Sequence, residues 1–211
     1  MRRKVPEKDN QNLRIIMKAD AHINKSMRRI ISLAVIIILS VAVIIGTDAY
    51  NNSEVNKYTE PAKISFEIVS TRELDISDMN AQEYNVSKVF EAYDAQSRLV
   101  AYVVENSETG YNQASPIKIS SVISADGTII CSVNILSQQE TEYLGVRIAE
   151  DEFLNQFEGR YFPIVSSDSD DKGSKIDTIS NSTISSQAVI NGVNKAQSFV
   201  KANFLSAQIV E

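Results

Sequence analysis

Between Thr178 and Ser186 six hydroxyl side chains fall within nine positions, in the stretch TISNSTISS, directly ahead of an amphipathic run. Hydroxyls at the start of a helix suit one kind of chemistry. The first backbone N–H groups of a helix have no partner within it, and its aligned peptide dipoles leave that end partly positive. Hydroxyl donors beside it complete a site for phosphate. Taken alone, the stretch also reads as a polar loop with a helix cap. Elsewhere reactive residues are sparse. One cysteine, Cys131, and one histidine, His22, cannot build a disulfide, an iron–sulfur cluster or a Cys/His zinc site from this chain alone. Cys131, in the run TIICSVN, reads as a buried strand residue rather than a nucleophile. No catalytic side chain and no metal site are expected. Asp168, Asp170 and Gly173 resemble part of a calcium loop, but Lys172 and Ile179 stand where further carboxylates are needed. Glycosylation-type triplets at Asn51, Asn85 and Asn181 are short patterns that occur often by chance.

A helix must position the hydroxyls, and the tail supplies one. From Ser185 to Phe204, Val189, Val193, Ala196, Val200 and Phe204 form one stripe, with Ser185 or Ser186 available as N-cap. The preceding residues read mainly as strands. KISFEIVS (63–70) alternates Ile64, Phe66 and Ile68 with polar neighbours, the period of a half-buried strand. Residues 86–107 predict a hairpin turning at Asp94 to Ser97. Residues 116–137 predict a second, around Asp126-Gly127, a dipeptide suited to a tight turn with positive φ. EDEFLNQFEGR (150–160) places Phe153, Leu154 and Phe157 at helical spacing behind acids that suit a helix start. The expected fold is α+β: an antiparallel sheet with a covering C-terminal helix.

The charge is divided. Residues 1–47 hold nine of the 21 Lys and Arg against three of the 27 Asp and Glu, so the net charge of -6 averages a basic end of +6 and a remainder of -12. An acidic main part argues against a nucleic-acid partner, which requires a basic face. Ile30 to Thr47 contains no charge in 18 residues. As a helix this run would be about 27 Å long, near the thickness of bilayer hydrocarbon. Arg28 and Arg29 precede it and Asp48 follows, placing the N-terminus on the cytoplasmic side and the acidic part outside. A cleaved signal peptide is the rival for this run, but the preceding segment is long for one and GTDAYNN lacks a small-x-small cleavage pattern. The expected organisation is a cytoplasmic basic tail (1–29), a transmembrane helix (30–47), a polar spacer (48–61) and an extracytoplasmic domain (62–211). The plasma or inner membrane is the expected location, with the bilayer itself a partner.

The sequence also resembles a family: the flavin-binding domain shared by the G-type subunit of Rnf electron transport complexes and the C-type subunit of sodium-translocating NADH:quinone reductases. Asp177 followed by Ser180, Asn181, Ser182 and Thr183, with Ser185 and Ser186 beyond, is similar to that family's Asp, SGAT-like motif and hydroxyl pair. Three stretches agree in order: residues 93–119, retaining Gly110, Tyr111, Pro116 and Ile117; residues 125–145, ending like the family's ETPGLG loop; and residues 151–160. The resemblance implies a covalent FMN held by a phosphoester on Thr183. It further implies Ser180, Ser182, Ser185 and Ser186 as neighbouring site residues, and Glu140, Thr141, Leu144 and Gly145 as matched loop positions.

The implied function is a membrane-anchored flavoprotein subunit relaying electrons within an ion-translocating oxidoreductase complex, with the other subunits and a flavin transferase as partners. A tethered flavin outside the cytoplasmic membrane is not lost to dilution, and the redox chemistry stays with the cofactor. The sequence departs from the family at two points: Asn181 and Ser182 replace glycine and alanine in SGAT, and Glu142 and Tyr143 replace proline and glycine in ETPGLG. Asparagine tolerates the left-handed backbone a glycine would adopt. These departures motivate the alternative, an anchored extracytoplasmic interaction module that has lost flavin binding.

Overall fold

A computed structural model of the chain describes residues 57–205. The basic tail, the apolar run 30–47 and spacer residues 48–56 lie outside the described residues. Among those described, no helix is long and apolar enough to cross a membrane.

Six strands form one antiparallel sheet in simple sequential order: β1 (Ser70–Glu73), β2 (Val86–Tyr93), β3 (Leu99–Glu108), β4 (Ile117–Ser124), β5 (Ile129–Ser137) and β6 (Arg160–Tyr161). Between β5 and β6 lie a 3-10 turn (Gly145–Ala149), the short helix α1 (Asp151–Leu154) and a second 3-10 turn (Asn155–Phe157). A parallel pair, β7 (Ile164–Ser166) and β8 (Ser174–Ile176), leads to the long helix α2 (Thr183–Val200). The antiparallel sheet and C-terminal helix match the expected class.

Both predicted hairpins form. The first turns where Ser97 adopts φ 58 and Asp94 accepts the backbone N–H groups of Gln96 and Arg98, each at 2.9 Å. The second differs in detail: Gly127 alone has positive φ, 68°, and its N–H closes onto the Ser124 carbonyl at 2.7 Å. Residues 125–128 therefore form a four-residue loop in which Asp126 keeps ordinary backbone and accepts Ser124 Oγ at 2.5 Å.

The strand expected over 63–70 is displaced. Ala62, Ile64 and Phe66 are half-buried between exposed neighbours, so the period of two is present, but ladder pairing with β2 starts only at Ser70. The segment preceding it is held at the other sheet edge, where Ala62 N–H donates to the Gly159 carbonyl at 2.8 Å and Arg160 reaches the Thr59 carbonyl. The end of the expected spacer is thus docked on the domain. The helix expected over 150–160 is only four residues of α-helix and a 3-10 turn, ended by Gly159 at φ 72. Phe153 and Phe157 are nevertheless buried on one side, ring edge to ring face, 5.5 Å apart.

Helix α2 starts two residues before the expected cap, and its N-cap is Ser182. Its stripe is as read: Val189, Val193, Ala196 and Val200 are fully buried. Phe204, in the wider turn that follows, stacks on Tyr102 with centroids 4.8 Å apart. The helix packs on β3 and β4, whose register places Tyr102 beside Ile123, Val104 beside Ser121 and Asn106 beside Ile119 on one face. Each fully buried Ile there contributes about 1.5–3 kcal/mol. At the closest approach a glycine, Gly192, faces Ile119, and its carbonyl accepts the Asn106 amide at 2.7 Å. Further along, the Asn194 amide meets Ile164 twice, accepting its N–H at 3.0 Å and donating to its carbonyl at 2.7 Å. Gln197 donates to the Gly127 carbonyl at 2.8 Å, so α2 spans the sheet from the β3–β4 loop to the β4–β5 turn.

Candidate functional site

The antiparallel order sends three loops to one end of the sheet. The β3–β4 connection carries Gly110 and Tyr111, the exit from β5 carries Glu140 to Gly145, and β8 leads through Asp177 to the start of α2. Together they enclose an open pocket of about 430 Å³ lined by Tyr111, Thr141, Leu144 and the run Asn181 to Ser185. That volume falls within the range of small-molecule sites.

The turn into α2 is built by local bonds. Gln156 brackets Asp177, accepting its N–H at 2.8 Å and donating to its carbonyl. Asn181 adopts φ 62, the left-handed conformation expected of it, and Ser182 N–H closes onto the Ile179 carbonyl at 2.9 Å. Ser186, expected as a cap, instead staples the turn: its hydroxyl accepts Ile179 N–H and donates to the Ser182 carbonyl, each at 3.0 Å. Ser182 holds the N-cap position, yet no side chain caps the helix and no acid lies in its first turn. Its hydroxyl is buried without a partner among the described residues. The N–H groups of Thr183, Ile184 and Ser185 precede the first intrahelical bond, which Ser186 makes to Ser182. Thr183 is exposed on the pocket, with no bond to its hydroxyl among the described residues.

The structure divides the sequence-predicted residues. Thr183, Ser182, Ser185, Thr141 and Leu144 line the pocket together. Ser180 does not join them. It is exposed on the far side of the turn, facing a separate groove with Arg147, Gln156 and Arg160. Ser186, Glu140 and Gly145 lie behind the wall. The Glu140 side chain is buried and accepts N–H from Tyr111 at 3.0 Å, N–H from Asn112 at 3.2 Å and the Ser185 hydroxyl at 2.5 Å. Three wall residues are not among those the sequence singles out as site residues: Asn181, Tyr111 and Ile184. Tyr111, which the resemblance matches together with Gly110 without giving it a site role, is 60% exposed on the pocket wall. Ile184, 58% exposed, sits inside a run whose signal is its hydroxyls.

The departures from the family pattern leave the pocket open. Asn181 takes up the left-handed turn, while Glu142 and Tyr143 do not line the pocket. Tyr143 is 86% exposed and itself adopts φ 68, which explains why glycine suits that position. The arrangement suits a phosphate-bearing ligand with an apolar portion. The uncapped helix start and the exposed Thr183 hydroxyl can meet its anion, and Tyr111, Leu144 and Ile184 offer apolar surface.

A family model described as "FMN-binding domain" matches residues 110–198. The chain is 31% identical, over 73% of its length and 77% of the relative's, to the G-type subunit of the ion-translocating oxidoreductase complex of Methanosarcina acetivorans. It is 28% identical to the G-type subunit of the Na(+)-translocating ferredoxin:NAD(+) oxidoreductase complex of Acetobacterium woodii, over 64% of this chain and 66% of that one. The solved structure of the C-type subunit of Na(+)-translocating NADH-quinone reductase from Parabacteroides distasonis is similar, at 20% identity and a TM-score of 0.48. That match covers 63% of this chain and 76% of the solved one.

Proposed function

The chain belongs to the FMN-binding domain family that includes the G-type subunit of ion-translocating oxidoreductase complexes, and from that premise we propose that it is the flavin-carrying, electron-relaying subunit of such a complex. The observation that carries this reading is Thr183, solvent-facing at the uncapped start of an 18-residue helix, on a pocket of suitable size.

In this proposal Thr183 Oγ1 would carry FMN through a phosphoester made by a separate flavin transferase from an activated flavin diphosphate. The hydroxyl oxygen attacks the flavin-side phosphorus and loses its proton, and the diphosphate P–O bond breaks to release the donor's other phosphate half. The N–H groups of Thr183, Ile184 and Ser185 face the phosphate, and the helix dipole contributes about 0.3–1 kcal/mol to holding its charge. Tyr111, Leu144 and Ile184 exclude water from one side of the ring. The flavin supplies the electron transfer, and the protein supplies position and surroundings. Residues 30–47 anchor the domain in the membrane beside the other subunits, facing away from the cytoplasm.

Intact mass of the full chain, co-expressed with a flavin transferase, tests the reading. Wild type should carry one FMN phosphoester, and Thr183→Val, which keeps the side-chain shape without the hydroxyl, should carry none. Wild type without flavin mass removes the electron-carrier reading in favour of the interaction module. Flavin persisting in Thr183→Val moves the acceptor to Ser180, Ser182 or Ser185.

A further inference from the structure

We infer that Glu140 is a positioning residue of this site, whose buried carboxylate ties the Tyr111 wall of the pocket to the first turn of α2 and sets a standing negative charge behind it. The charge part of this inference rests on the flavin reading above; the tie does not.

Glu140 is 5% exposed, and no cation pairs with it among the described residues. Burying a carboxylate without a counter-ion is costly unless donors surround it. Here the donors are the N–H groups of Tyr111 and Asn112 and the Ser185 hydroxyl, so that one side chain of the loop after β5 joins the β3–β4 loop to the helix. Asn112 adds a side-chain bond to the neighbouring Gln139 carbonyl at 2.6 Å.

Two glycines make the space. A Cβ on Gly110 would collide with the Glu140 carboxylate and stand 2.7 Å from Ile117 Cδ1, and one on Gly145 would stand 2.7 Å from Glu140 Cβ. Both walls of the pocket are thus built around one side chain that does not itself line it. Tyr111 and Ser185 do line it, so the carboxylate fixes their separation. A fixed negative charge there opposes added electron density on a flavin in the pocket, so it favours the oxidised ring.

The test uses the full chain with its flavin transferase, and the flavin-free Thr183→Val protein as background. In that background, Glu140→Gln and Glu140→Asp should each speed hydrogen exchange at the Tyr111 and Asn112 amides at least about tenfold, because each loses bonds to the loop. In the flavinylated protein, Glu140→Gln should raise the flavin midpoint potential. Glu140→Asp, which keeps the charge but shortens its reach, should stay nearer wild type. Unchanged exchange in either variant overturns the tie, and an unchanged potential in Glu140→Gln overturns the charge role. If Glu140→Gln does not fold, Glu140→Asp decides the tie by exchange, and Glu140→Ser, which also removes the charge, decides the charge role by the same rise in potential. A chain that takes up no flavin removes the proposed function and the charge role together, while the exchange measurement still decides the tie.

Discussion

Gly192 passes so close to Ile119 that a methyl group on the helix at this point would overlap the isoleucine Cδ1. In an exposed helix, Gly→Ala gains about 1 kcal/mol of helix propensity. Here that gain competes with overpacking of about 1–3 kcal/mol, and Glu108 Cγ leaves little room on the other side, at 3.2 Å from the added carbon. Gly192→Ala should therefore lower the melting temperature. A rise would show that the sheet yields at Ile119.

Tyr143 tests the opposite balance. Its φ of 68 is unfavourable for a bulky side chain, and at 86% exposure it has little packing to lose. Left-handed backbone costs a non-glycine residue about 1–2 kcal/mol, and the extra freedom of glycine in the unfolded chain offsets about 0.4–1 kcal/mol of any relief. Tyr143→Gly should stabilise the domain by up to about 1.6 kcal/mol on this arithmetic, measured by urea unfolding, with flavin attachment unchanged. Destabilisation would mean the ring is held by a contact outside the described residues.

For Ser182→Ala the buried hydroxyl without a partner decides the sign. An unsatisfied buried group costs about 1–3 kcal/mol, so its removal should leave stability equal or higher. The variant also restores the residue the family has there. Flavin incorporation, read as intact mass, should match or exceed wild type, and a clear drop would make the hydroxyl a ligand.

Cys131 gives a pH dependence. Burial, with the negative charges of Asp126 and Glu158 adding to it, pushes its thiol pKa up to about 11 from an ordinary 9.0. Well below pH 9 the thiol is protonated in both folded and unfolded chains and contributes almost nothing to the slope. Between pH 9 and about 11 the unfolded chain holds fewer protons than the folded one, so this group lowers stability as pH rises. Urea midpoints across that window should fall less steeply in Cys131→Ala than in wild type. At pH 8 the native thiolate fraction should be about a hundredfold below the unfolded one, and a thiol reagent should label the folded protein correspondingly slowly. Equal labelling of native and denatured protein would contradict this burial.

Orientation is a separate test. If Arg28, Arg29 and the run 30–47 set the topology, protease added to intact cells should trim the domain and spare the basic tail. Cleavage of the tail with protection of the domain would reverse the proposal.

What can be read from the sequence is local. The stripe Val189, Val193, Ala196 and Val200 and the two hairpins follow from side-chain period and turn residues, and these interactions lie within a few positions of one another. The strand expected over 63–70 is misplaced because alternation reports burial of one face, whereas a ladder needs a partner in register; β2 provides one only from Ser70. Ser185 and Ser186 are both candidate caps by type. Only the approach of Ile179, which donates to Ser186, and of Glu140, 45 residues before Ser185, assigns their hydroxyls elsewhere. Glu140 likewise reads as a pocket residue because the loop around it is one. Its position behind the wall depends on Gly110 and Gly145, and the former lies in another loop.

The pair of hydrogen bonds between Asn194 and Ile164 closes a ring of chain, its ends 30 positions apart. Inside that ring lie β8 and the whole turn from Asp177 to Ser182 that presents Thr183. Such a closure restricts the turn's freedom when the protein folds rather than when a ligand arrives. The ordering cost of the pocket's most elaborate segment is therefore met by folding, and a flavin attached to Thr183 would encounter a preorganised anion cradle rather than a loop it must order for itself.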